Sequence, residues 1–194
     1  MNLTIHQARL NASLPLVLMT DERKADWLRA ARALPRDSVV VVRARDAKRR
    51  RALAEELSGS ARLLIADDPR LAEEIDAAGL HMPEARMREA ARWRARHPGW
   101  IITSSAHSLR ALMGAHHLDA VFLSPVFATT SHKHGHPLTP VRAAMIAAQA
   151  PVPVYALGGV TARNATLLAS SFSGIAAITA LMSSDTGAGT LHPY

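Results

Sequence analysis

The sequence predicts a closed (β/α)8 barrel, and three observations carry that prediction. Short apolar runs alternate with amphipathic stretches about eight times, and strict strand–helix alternation implies a parallel sheet. Runs such as Val39-Val-Val-Val42 are continuously apolar, as strands covered on both faces are. No Gly-x-Gly-x-x-Gly follows the first strand, so the doubly wound alternative lacks its phosphate-binding turn. The 194 residues are expected to form a single domain, 1–194, with a full core.

Leu16 to Thr20 is the first apolar run, ending in Thr20-Asp21, and Trp27, Leu28, Ala31 and Leu34 mark one face of the helix that follows. Pro35-Arg-Asp37 breaks that helix. After the second strand at Val39–Val42 comes Arg43-Ala-Arg45-Asp46, then a helix to about Leu57 stopped by Gly59. Arg62–Ala66 is the third strand, ending in Asp67-Asp68. Asp68-Pro69 reads as an acidic N-cap with proline in the first turn.

Gly79–Met82 is a short fourth strand, and Glu84 to His97 is expected to be one basic helix closed by Pro98-Gly99. Trp100–Ser104 is the fifth strand, with Ser105 and His107 presented at its end and Ser108 as a cap. Ala120–Leu123 is the sixth strand. Thr139-Pro140 caps an Ala-rich helix, Val154–Leu157 is the seventh strand, Thr161 caps a helix with Leu167 and Leu168, and Gly174–Thr179 is the eighth strand. The tail 183–194 carries Gly187, Gly189 and Pro193 with little helical pattern. The last helix is therefore expected to be short or missing. Apolar barrel surface left bare there would suit a homodimer partner.

Composition narrows the function. Hydrophobic content of 48% with 20% charge is globular, and 4% aromatics leave the core to aliphatic residues. The absence of cysteine removes disulfides, thiolate metal sites and a Cys nucleophile, and is compatible with a reducing, cytoplasmic location. No basic-then-apolar start marks a signal peptide, and no run nears about 18 apolar residues, so no membrane association is expected. A net charge of +7 attracts polyanions. Its arginines gather in Lys48–Arg51 and Arg86–Arg96, both readable as outer helix faces. No aromatic ladder or zinc-finger spacing accompanies them, so small phosphorylated molecules are the expected partners rather than nucleic acid.

In such a barrel the ligand sits at the C-terminal ends of the strands. Two stretches open there from apolar into polar sequence: Ser124-Pro-Val-Phe-Ala-Thr-Thr-Ser-His-Lys133 and Val154-Tyr-Ala-Leu-Gly-Gly-Val160. Thr20, Asp21, Arg43, Arg45, Asp67, Asp68, His81, Ser105, His107, Gly158, Gly159 and Thr179 fall at the same rim. They bring guanidinium forks, hydroxyls, carboxylates and glycine amides. Each also has a plain structural reading. Gly158-Gly159 is either a tight turn or a phosphate cradle, Arg43 either meets a ligand or pairs with Asp67, and Asp68 reads as a cap. His81 and His107 are either hydrogen-bonders or acid–base groups. His132, His134 and His136 read as a basic loop rather than a metal site, with no acidic neighbour in sequence.

Residues Leu18 to Leu181 resemble the thiamine phosphate synthase and thiazole tautomerase family. The resemblance lies in Ala77-Ala-Gly-Leu-His81, Ser105-Ala-His107, Ser124 to Ser131, Ala156-Leu-Gly-Gly-Val160 with Asn164, and Gly174 to Ala180, in this order and spacing. It implies a transferase that joins hydroxymethylpyrimidine pyrophosphate to thiazole phosphate and releases pyrophosphate. The implied catalytic positions are Arg43, Ser105 and His132. The implied substrate-binding positions are Arg43, Arg45, Ser105, Thr129, Ser131, Lys133, Gly158, Gly159, Ile178 and Thr179. Asp67 falls on a Mg2+ ligand, while the second ligand position is Arg86, a reversal of charge. Further departures are Val41 for glutamine, Arg45 for lysine, Ala66 for asparagine, His132 for lysine and Thr179 for serine. Pro125 stands where the tautomerase branch has histidine, which favours the synthase branch. Two alternatives remain beside a synthase: a phosphate-ligand binding protein without catalysis, and an isomerase with His107 or His132 as base.

Overall fold

The computed structural model describes residues 16–21, 26–35, 38–129, 137–161, 163–168 and 171–177. Eight parallel strands close into a barrel in sequence order, β1 (Leu16–Met19), β2 (Val39–Val42), β3 (Arg62–Ala66), β4 (Gly79–Met82), β5 (Ile101–Ala106), β6 (Ala120–Leu123), β7 (Val154–Ala156) and β8 (Gly174–Ala177). Closure is made by β8 pairing with β1, with Val17 opposite Ala176, while on its other edge Val17 lies opposite Val39 of β2. The predicted (β/α)8 architecture is the observed one.

Because side chains alternate along a strand, each strand feeds two separate apolar layers. Val17, Met19, Val39, Val41, Leu64, Ala66, Ile101, Phe122, Tyr155 and Leu157 point inward and fill the barrel. Leu18, Val40, Val42, Ile65, Leu80, Ile102, Val121 and Leu123 point outward under the helices. The four valines of β2 are all fully buried, which is why that strand shows no polar alternation. Phe122 and Tyr155 meet inside at 5.8 Å between ring centroids, so the barrel centre is solid. Burial there pushes the Tyr155 hydroxyl up to about 12.

Outside lie α1 (Trp27–Arg32), α2 (Ala47–Leu57), α3 (Pro69–Glu74), α4 (Ala90–Arg96), α5 (Leu109–Leu112) and α6 (Pro140–Ala147). Their starts follow side-chain capping. Asp46 accepts from the Arg49 amide at 2.7 Å, Asp68 from Leu71 at 3.1 Å and Ser108 from Ala111 at 3.2 Å. Thr139 departs from expectation. It sits at φ 66° and makes no side-chain cap, so Pro140 alone starts α6. The helix expected over Glu84–His97 is also divided, into a 3₁₀ segment Glu84–Glu89 and α4. Among the described residues, the helix expected after Thr161 is a 3₁₀ segment, Ala165–Leu168. The expectation of a short or missing last helix lies outside the described residues. Among the described residues no helix is long and apolar enough to cross a membrane.

Candidate active site at the C-terminal rim

Parallel strands all end at one side of the barrel, so side chains from distant segments share a rim there. Thr20, just past β1, fixes the chain just past β2. Its hydroxyl accepts from the Arg43 amide at 2.8 Å and donates to the Arg43 carbonyl at 2.9 Å, while its own amide donates to the Val41 carbonyl at 3.0 Å. Arg43 is thereby held at both backbone polar groups. The residue is partly buried and makes no ion pair among the described residues. The structural pairing of Arg43 with Asp67 does not occur, because Asp67 is taken by Arg86. Arg45, two residues on, is exposed.

His81 lies inside the mouth. Its Nδ1 is 2.9 Å from the Thr103 hydroxyl and its Nε2 is 3.1 Å from the Ser105 hydroxyl, and the ring stacks on Phe122 at 5.0 Å. Burial first, and the Arg43 charge second, bring its pKa down to about 3. The imidazole is therefore neutral, with one ring nitrogen donating and one accepting between two hydroxyls. As a neutral ring it holds the Ser105 hydroxyl in place. Ser105 lies within β5, which runs further than the sequence suggested, so its side chain points into the mouth beside His81.

On the far side, the β6 and β7 loops are joined like further rungs of the sheet. The Val126 amide donates to the Leu157 carbonyl and the Phe127 amide to the Gly158 carbonyl, each at 3.0 Å. This approach explains both glycines. At Gly158, φ is 90° and a Cβ would lie 2.8 Å from Pro125 Cα. At Gly159, φ is 66° and a Cβ would lie 2.4 Å from the Ala128 carbonyl oxygen. Asn164 then clasps the turn, donating to the Gly159 carbonyl at 3.0 Å and accepting from the Thr161 amide at 2.7 Å. The two polar stretches do meet at one rim. Thr129 belongs to this loop, while Ser131, His132, Lys133, His134, His136, Ile178 and Thr179 lie outside the described residues.

The remaining rim is a charge network that the residue types alone did not reveal. Arg86 Nη1 donates to Asp67 Oδ1 at 2.6 Å, and its Nε and Nη2 donate to the two oxygens of Glu89, each at 2.7 Å. These bonds raise the Arg86 pKa and lower that of Glu89. Glu84 accepts from both the amide and Nδ1 of His107, each at 2.7 Å, so His107 is engaged in holding a loop. Asp68 caps α3 and accepts from Arg50 at 3.1 Å. Glu84 and Glu89 were missed from sequence; the i,i+3 spacing of Arg86 and Glu89 was the available signal.

A resident Mg2+ needs an oxygen cage built from one or more free carboxylates. Among the described residues no three His, Cys, Asp or Glu side chains are grouped to hold a metal. Asp67, the implied ligand, faces a guanidinium instead. A divalent ion about 4 Å from that cation would be opposed by several kcal/mol even at an effective dielectric near 20. The described donor set therefore does not fit the ion. A cavity of about 380 Å³ between Ala31, Leu34, Gly59 and Ala61 lies at the opposite end of the barrel, before β2 and β3, and shares none of these residues.

Known proteins share this architecture. A curated relative, the putative thiamine-phosphate synthase 2 of Aquifex aeolicus (strain VF5), is 35% identical over 117 residues, which span 59% of this chain and 61% of that protein. A thiamine phosphate pyrophosphorylase from Pyrococcus furiosus superposes with TM-score 0.68 at 22% identity, over 92% of this chain and 91% of that one. FabK from Thermotoga maritima superposes with TM-score 0.70 at 14% identity, over 94% of this chain and 63% of that one. The fold is thus shared with differently named enzymes, and the sequence match is what discriminates. The profile of the thiamine monophosphate synthase family matches residues 16–181, nearly the whole barrel, and the chain belongs to that family.

Proposed function

We propose that the rim binds phosphorylated ligands and that the protein is a thiamine phosphate synthase-like transferase. In this reading it joins hydroxymethylpyrimidine pyrophosphate to thiazole phosphate. The carbon–oxygen bond to pyrophosphate breaks, and its electron pair leaves with the pyrophosphate. The thiazole nitrogen lone pair then forms the new carbon–nitrogen bond. No proton need be taken from the nucleophile, so the demand on the protein is stabilisation of the departing anion.

The observation that carries the reading is Arg43. A partly buried arginine without an ion pair among the described residues, its backbone braced on both sides by Thr20, is suited to meet phosphate oxygens. Ser105, hydrogen-bonded to neutral His81, offers a hydroxyl from the β5 end of the same rim. The joined β6 and β7 loops put Thr129 and Gly159 across the mouth, where the second phosphate would sit. A coupled assay for thiamine phosphate tests this. Wild type is expected to turn over, and Arg43→Ala to lose about 10²–10³ in kcat/KM, the scale for removing a donor to a developing anion. Turnover unchanged in that variant would overturn the role of Arg43.

A second reading is favoured by one observation. Val41 and Ala66, both inward-facing and buried, leave the floor between β2 and β3 without hydrogen-bonding groups. A protein that holds thiazole phosphate without catalysis would need none there. Calorimetric titration with each half-substrate separates the two: binding of thiazole phosphate alone supports the second, and binding of both with release of pyrophosphate supports the first.

A further inference from the structure

We infer that the Arg86 guanidinium occupies the place at Asp67 that a divalent cation would take, and that this rim meets a phosphoanion with arginine side chains instead of a resident metal ion. Three charge-assisted bonds lock Arg86 in place, one to Asp67 and two to Glu89. The fork is also fixed from behind. The Arg86 amide donates to the Pro83 carbonyl at 3.0 Å, and the same 3₁₀ segment is tied to the end of β5 through Glu84 and His107. Asp67 is equally constrained, with φ 54° and its amide donating to the His81 carbonyl at 2.9 Å. Its neighbour Asp68 is spent on the α3 cap and Arg50. A cation entering here would have to displace Arg86 from Asp67 Oδ1 or use Oδ2 alone, and in either case sit beside a fixed positive charge.

The same geometry leaves Arg86 something to offer. Of the five N–H groups of a guanidinium, three are used in these bonds, one on Nε and one each on Nη1 and Nη2. One N–H on each terminal nitrogen remains. Arg86 is held half-exposed at the β3–β4 side of the mouth, next to the strand end that carries Arg43. A diphosphate is the ligand class that two such guanidinium groups, one carried past β2 and one past β4 with the β3 end between them, would grip, each in the planar fork geometry that suits phosphate oxygens.

This inference rests on the phosphate-binding reading for its ligand, but not for its statement about metal. Electron paramagnetic resonance with Mn2+ alone tests the metal part. Wild type is expected to leave Mn2+ free into the millimolar range, as Asp67→Asn does, and Arg86→Asp to bind one ion. One Mn2+ bound by wild type and lost in Asp67→Asn would overturn it, as would Arg86→Asp that folds and binds none. Calorimetry with pyrophosphate tests the anion part. Binding is expected in excess EDTA, weakened about tenfold, or ~1.4 kcal/mol, in Arg86→Ala. Binding only when Mg2+ is supplied overturns the inference. No binding in either condition removes the phosphate reading itself, while the Mn2+ outcome still decides what Asp67 holds.

Discussion

Arg43 and His81 are coupled, and that coupling is measurable. Burial lowers the His81 pKa first and the Arg43 charge lowers it further. Arg43→Ala should therefore raise the His81 titration, followed by NMR of the ring; an unmoved titration would place the guanidinium elsewhere. The same shift sets a pH dependence of stability. In the unfolded chain a histidine titrates near 6.5, and in the fold this one titrates at about 3. Between those values the unfolded chain binds a proton that the folded one refuses. Stability is complete above about 6.5 and falls by roughly 1.4 kcal/mol per pH unit as pH drops toward 3. Denaturant midpoints measured across that range should flatten in His81→Gln. Gly159→Ala offers a separate check on packing, since its Cβ meets the Ala128 carbonyl at φ 66°. A loss of roughly 2–4 kcal/mol in urea unfolding is expected. At this scale the sequence was legible where a residue acts on its own neighbours, as the Asp68 and Ser108 caps do. It was illegible where partners come from distant strands. Nothing in Ala-Asp-Asp or in Ala-Arg-Met says that Asp67 and Arg86 touch.

The segment between β4 and α4 is the element on which the rim most depends. From sequence it reads as one basic helix closed by Pro98-Gly99, and Met87, Ala90 and Trp93 are its buried residues. The structure tightens its first six residues into 3₁₀ geometry, with the Arg86 amide bonded three residues back to Pro83. That winding puts Glu84 toward His107, just past β5, and Arg86 toward Asp67, just past β3, so one short element bridges three strand ends. Glu84→Gln removes the charge and keeps the shape. Faster amide hydrogen exchange over 84–89 is expected, with little change in the midpoint of global unfolding, because His107 and Glu84 are exposed partners. Exchange rates equal to wild type would show that the tie contributes nothing. The opening of the β6 loop into polar sequence is legible in its residues, whereas its union with the β7 turn is not. Hydrogen bonds between main chains leave no mark in residue type beyond the two glycines.

Across the whole molecule, the inward and outward apolar layers share the strands of the barrel, so neither can be lost without the other. Trp27 sits buried in α1, while Trp93 and Trp100 stack at 6.3 Å near the start of β5. Tryptophan fluorescence and far-ultraviolet circular dichroism are therefore expected to report one coincident unfolding transition; separated transitions would mean that the barrel comes apart in pieces. The architecture was the most legible level, because eight alternations constrain topology even when individual boundaries shift by a residue or two. One small contact acquires a wider meaning on this rigid frame. The Thr20 hydroxyl grips Arg43 at both amide and carbonyl, so the stem of that cation starts from a set height above a filled floor. Under the phosphate-binding reading, guests of unequal span from ring to anionic tail would then meet that charge out of step. Such a mouth would act as a ruler, selecting by span as well as by polarity.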